Sequence, residues 1–101
     1  MAAPKQYEVW TTDGEPLVLV LQNDLLSDVE TRVVIPLFPV EVMGRGLQSL
    51  NPTITVAGRE LVVMTQLFAT LYPEELVEFF GTAEHDRDQI VSAIEALLSG
   101  V

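Results

Sequence analysis

Thr53-Ile54-Thr55-Val56-Ala57-Gly58-Arg59-Glu60-Leu61-Val62-Val63-Met64-Thr65 sets the fold class. Polar and apolar residues alternate from Thr53 to Val56, as a half-buried strand requires. Gly58 is available for positive φ at the turn, and the return from Glu60 is rich in Val. This segment reads as a β-hairpin. Upstream, Tyr7 to Thr12 mixes aromatic, β-branched and polar residues, and Asp13-Gly14-Glu15-Pro16 supplies turn chemistry before Leu17-Val18-Leu19-Val20-Leu21. Two strands joined by a tight connection are expected there. Asn23 to Glu30 is polar enough for a loop. Thr31 to Ile35 is a third β-branched run, expected to stop at Pro36, which has no N–H for a ladder.

Pro39, Gly44, Gly46 and Pro52 punctuate a middle section whose apolar residues follow no period, so it is expected to be irregular, with room for a short strand. Leu67 to Leu71 either continues as sheet or passes into loop. Pro73-Glu74-Glu75 carries a helix-start signal within a β-like neighbourhood, and both readings stay open through Phe80. The final segment is clearer. Ile90, Val91, Ala93, Ile94, Leu97 and Leu98 fall at i, i+1, i+3, i+4, i+7 and i+8, one helical stripe. Asp86 with Gln89 resembles a capping box, and Gly100 sits at the C-cap position.

The chain has 101 residues, 49% of them hydrophobic, with 5 Lys+Arg against 15 Asp+Glu and a formal net charge of −10. Its length and even hydrophobic density predict one domain spanning residues 1–101. The absence of cysteine excludes disulfides and thiol chemistry and fits a reducing, cytoplasmic setting. The five cations, Lys5, Arg32, Arg45, Arg59 and Arg87, are scattered along the sequence. Direct nucleic-acid binding and anionic membranes are therefore disfavoured, and the charge points to a protein partner. Leu17 to Leu21 is too short an apolar run to cross a bilayer, and Met1 to Gln6 has no apolar core of a secretory signal.

Catalytic chemistry is sparse. The single histidine, His85, lies in Glu84-His85-Asp86-Arg87-Asp88, which reads first as the solvated opening turn of the last helix. The minor reading is a ribonuclease-like role for His85 with Arg87, opposed by the surrounding negative charge. Glu74 with Glu75 and Asp86 with Asp88 lack metal-ligand spacing, so no metal or cofactor is expected. Gly44-Arg45-Gly46 lacks the further Gly and Lys of a phosphate loop. Trp10, Phe79, Phe80, Met43 and Met64 read as core or subunit-interface residues. Gly100 and Val101 form either a frayed end or a tip able to enter a partner's groove.

Most of the chain resembles the CcdB toxins of bacterial toxin–antitoxin modules. The resemblance is carried by Leu19 to Leu37, Leu-Val-Leu-Gln-Asn-Asp-Leu-Leu ending in Arg-Val-Val-Ile-Pro-Leu. It extends to Pro52 to Val56, the hairpin into Val63-Met64-Thr65, and the helix Ile90 to Leu98 followed by Gly100. It implies a mainly β fold with a C-terminal helix: an SH3-like small barrel with an antiparallel sheet and a smaller sheet, working as a homodimer. It further implies that Pro73 to Phe80 begins as strand. The function it implies is non-catalytic, binding the DNA gyrase A subunit and trapping the cleaved gyrase–DNA complex, with a CcdA-type antitoxin as second partner. The matching gyrase-binding positions are Ser99, Gly100 and Val101, where Ser99 replaces the Trp often found in the family. No antitoxin site is assigned; Asp13-Gly14-Glu15 and Met43 to Leu50 are candidate loops. The alternatives are an endoribonuclease toxin of the MazF type, which shares the barrel, and a non-toxic CcdB-like binding module.

Overall fold

The structure, a computed structural model, describes residues 4–26, 28–44 and 49–100. Alternating and β-branched runs give seven strands: β1 (Glu8–Thr12), β2 (Glu15–Val20), β3 (Arg32–Pro39), β4 (Thr53–Val56), β5 (Arg59–Val63), β6 (Ala69–Leu71) and β7 (Leu76–Thr82). A single helical turn, α1 (Val40–Met43), follows β3, and α2 (Arg87–Ser99) closes the described chain. All pairings are antiparallel, in the order β4-β5-β3-β2-β1-β7, with β6 joining β3 beside β5. The smaller group of strands is thus continuous with the main sheet through β3.

Period-two alternation decides what each strand buries. Val9, Leu19, Ile35 and Leu37 point into one cluster with Ile54, Val56, Leu61 and Val63, and Ile90 of α2 packs into it. Their neighbours Trp10, Val18, Val20 and Val34 point the other way and cluster with Leu76 and Leu71. The sheet therefore has an apolar inner face under α2 and a second apolar face opposite. Gly81 marks where the curl tightens: a Cβ there would lie 2.8 Å from Val56 Cγ1, a fully buried side chain. Gly81→Ala is therefore expected to lower the unfolding free energy by about 1–3 kcal/mol through overpacking, measured by urea titration. An unchanged midpoint would mean that β7 and β4 have room to separate.

The expected hairpin forms at β4–β5, with Ala57 (φ 50°) and Gly58 (φ 80°) both left-handed, as a two-residue turn of the primed type requires. Other expectations need correction. Pro36 does not end the third strand, which runs through to Pro39. On that flank of β3, β6 pairs with Arg32 to Val34 and β5 with Leu37 to Pro39, so Pro36 sits between two partners. Its carbonyl accepts from Met64 N–H at 3.1 Å, and the donor it lacks falls in the seam. The middle section forms α1 instead of a strand; residues 45–48, including Arg45 and Gly46, lie outside the described residues.

Pro73 to Phe80 satisfies both of its signals in succession. Pro73–Glu75 makes a 3-10 turn in which Glu75 Oε2 accepts from Tyr72 N–H at 2.8 Å, and β7 begins at Leu76. Leu67 ends a 3-10 turn begun at Thr65, and sheet resumes at Ala69. The helix is present and Gly100 is its left-handed C-cap, donating to Ala96 O at 2.9 Å. Asp86, however, makes no side-chain capping bond, so the capping box does not form. Only part of the helical stripe is buried. Ile90 and Ala93 pack inward, whereas Val91 is 39% exposed and Leu98 78%. A stripe two residues wide exceeds what so small a sheet covers. Met43 is likewise exposed, which removes the core half of its core-or-interface reading.

Candidate functional site

Two places combine concavity or chemistry. The first is the mouth of α2. A 3-10 turn, Glu84–Asp86, runs directly into the helix and gathers Glu84, His85, Asp86, Arg87 and Asp88 at its positive end. His85 Nε2 lies 3.4 Å from Asp86 Oδ2, with the His side chain 67% exposed and the Asp side chain largely covered. That Asp86 oxygen is buried and makes no hydrogen bond among the described residues, so the imidazole is the group within ion-pair reach of it. Arg87 Nη1 donates to Glu84 Oε1 at 3.2 Å, both side chains more than half exposed. An exposed pair of this kind contributes little, about 0–1 kcal/mol. A phosphate oxygen can therefore replace the carboxylate at small cost.

Tyr7 lies beneath this turn and was not singled out from the sequence. It is a buried residue with left-handed backbone (φ 68°), held by Tyr7 N–H donating to Val20 O at 2.7 Å and by Tyr7 O accepting from Ala83 N–H at 2.8 Å. A bulky residue in this region stores strain that the two bonds must offset. Burial pushes the Tyr7 phenol above its ordinary value of 10.0; Arg87 opposes the shift, and Glu84 and Asp88 add to it. A raised folded-state value means the native form holds its proton more tightly than the unfolded chain. The associated stability is complete below about pH 10 and is lost as pH rises through the folded value. Urea midpoints should thus decline above about pH 10, less steeply in Tyr7→Phe. Equal alkaline slopes for the two proteins would remove this role.

The second place is an open groove of about 780 Å³ on the apolar face opposite the α2 side. Val18, Val34 and Pro36 form its floor, Leu67, Ala69 and Leu71 one wall, and Thr12 with Pro16 and Val77 the remainder. Among the described residues, its charged lining groups are all acids: Asp13, Glu74 and Glu75. Among the described residues, no group of three or more His, Cys, Asp or Glu is arranged to hold a metal ion. Among those residues, no helix is long and apolar enough to cross a membrane.

At the expected C-terminal site, the Ser99 hydroxyl donates to Glu95 O at 2.6 Å and Gly100 is exposed, while Val101 lies outside the described residues. Of the candidate loops, Asp13-Gly14 forms the β1–β2 turn at the groove, and Met43 and Gly44 end α1 elsewhere on the surface. The structure therefore brings Asp13 together with Glu74 and Glu75, which the sequence does not relate.

Residues 6–100 match the profile of the CcdB protein family. The chain belongs to the CcdB family. No curated protein matches this CcdB-family chain by sequence. Among solved structures, it is similar to an endoribonuclease from mycobacterial species, with TM-score 0.78, 18% identity, and coverage of 97% of this chain and 93% of the other. A second similar structure is an endoribonuclease in complex with its cognate antitoxin, also from mycobacterial species. There the TM-score is 0.80 and the identity 18%, over 95% of each chain.

These likenesses establish the shared barrel and correct two expectations. CcdB membership implied a non-catalytic binder of the gyrase A subunit. Yet two solved structures that share this fold almost end to end are named endoribonucleases, so neither gyrase poisoning nor the absence of catalysis follows from the family and fold.

Proposed function

We propose that this CcdB-family protein is the toxin of a toxin–antitoxin pair and acts as an endoribonuclease, with RNA as substrate in the cytoplasm and a cognate antitoxin as its neutralising partner. The observation that carries this reading is the full-length similarity of fold to two endoribonucleases, one of them bound to its antitoxin. The mouth of α2 is where the chemistry fits. Cleavage of RNA through its own 2′-hydroxyl needs a base for that proton, a cation for the charge developing on the phosphoryl oxygens, and a proton for the departing 5′-oxygen.

His85 takes the 2′-hydroxyl proton, the 2′-oxygen bonds to phosphorus as the bond to the 5′-oxygen breaks, and water protonates that departing oxygen; Asp86 orients the ring by facing Nε2 at 3.4 Å. Arg87, released from Glu84, stabilises the phosphoryl oxygens, helped by the positive end of α2. Tyr7 supports the turn from below with a phenol that stays protonated at neutral pH. The net charge of −10 opposes RNA binding at long range. Affinity then rests on few phosphate contacts, and a second copy of the chain would complete the binding surface. The exposed Phe68, Tyr72, Val91 and Leu98 supply apolar area for such a homodimer.

The test is incubation of the purified protein with single-stranded and structured RNA in chelator, with the products mapped. Discrete internal cuts are expected. Intact RNA at stoichiometric protein would defeat the enzymatic reading.

A further inference from the structure

We infer that the open groove between the β1–β2 turn and β6–β7 is a docking site for a cationic amphipathic peptide segment of a partner chain. Its floor and walls are aliphatic, and among the described residues no Lys, Arg or His lines it. The carboxylates stand on two sides, Asp13 from the β1–β2 turn and Glu74 and Glu75 from the turn before β7. Glu75 is engaged with Tyr72 N–H, whereas Asp13 and Glu74 make no hydrogen bond or ion pair among the described residues. The exposed Val77 and Leu67 leave apolar surface open beside them. An occupant must therefore offer aliphatic side chains to the floor and Lys or Arg to the rim. RNA, with its phosphates, meets repulsion from the same rim.

That this segment belongs to the neutralising antitoxin rests on the toxin reading above. The groove and the mouth of α2 are made from different residues, so the partner's seat is distinct from the proposed site of cleavage.

The experiment uses the full chain and a fluorescein-labelled helical peptide of Leu, Ala and Lys, with Leu at i, i+3, i+4 and i+7 and Lys flanking them. Its control is the same peptide with Glu for each Lys. The Lys peptide is expected to bind and the Glu peptide to bind at least about tenfold more weakly. The double variant Asp13→Lys with Glu74→Lys should reverse that order, and Val77→Ser, which removes apolar contact without adding charge, should weaken the Lys peptide. These positions are exposed, so circular dichroism is expected to show native folding for every variant. Equal binding of the two peptides or an unchanged preference in the charge-reversed variant would each overturn the assignment. Peptide binding without RNA cleavage would support the groove and sink the catalytic reading. Cleavage without charge-selective peptide binding would do the opposite.

Discussion

His85→Ala is expected to lower the rate of RNA cleavage by about 10²–10⁴-fold, the usual weight of one positioned acid–base group, with no change in the thermal midpoint. The ring is two-thirds exposed, and its removal opens the Asp86 carboxylate to water, which takes the place of the 3.4 Å ion pair. Asp86→Asn should produce a smaller loss. It keeps the shape of the side chain but removes the charge that orients the imidazole. Arg87→Lys separates two roles: a point charge retains attraction for phosphate but not the planar two-donor geometry. Single-turnover cleavage of a fluorescent oligonucleotide provides the measurement. Full activity in His85→Ala would move the reaction to other residues, and a lowered thermal midpoint would show that the ring has a structural role.

Leu19→Ala has the largest expected effect on stability, about 2–5 kcal/mol. Leu19 is fully buried at the centre of the sheet, paired with Val9 on β1 and Ile35 on β3, and it packs in the cluster that receives Ile90. Deleting its side chain opens a cavity where strands on both sides are held by their ladders and cannot collapse inward. A domain of this size is stable by only about 5–15 kcal/mol, so the loss approaches the threshold for folding. Leu98→Ala provides the contrast. That side chain faces solvent at the end of α2, and a change within about ±0.5 kcal/mol is expected for the isolated chain. Chemical denaturation compares the two. Similar losses would mean that Leu98 is covered in solution.

Where structure was written locally, the sequence disclosed it. Thr53 to Thr65 carries its own alternation and turn residue, and the stripe from Ile90 to Leu98 has the helical period throughout. The errors fall where a distant strand decides. Pro36 looks like a terminator because its missing donor matters in an ordinary ladder, and only the arrangement of β5 and β6 shows that no acceptor needs it. Pro73-Glu74-Glu75 gives a genuine turn-of-helix signal, which a 3-10 turn uses before β7 starts. The α2 mouth was visible as a charged cluster. Tyr7 was not, because no local signal marks an aromatic residue held at positive φ by Val20 of β2 and by Ala83. The acidic rim was equally hidden, since Asp13 and Glu74 meet only once β1, β2 and β7 are assembled.

The break in bonding at Pro36 gives β3 two independent neighbours on one flank, and the strand works as a shared spine with a pivot in it. Below the pivot, β5 is locked into the barrel by the β4 hairpin; above it, three-residue β6 hangs from Arg32 to Val34 alone. The wall that includes Ala69 and Leu71 is thus held by a three-residue ladder and by the packing of Leu71 on the Trp10 cluster, a weaker attachment than that of β5, which is paired on both sides. Amide protons of β6 should accordingly exchange with deuterium well before those of β5.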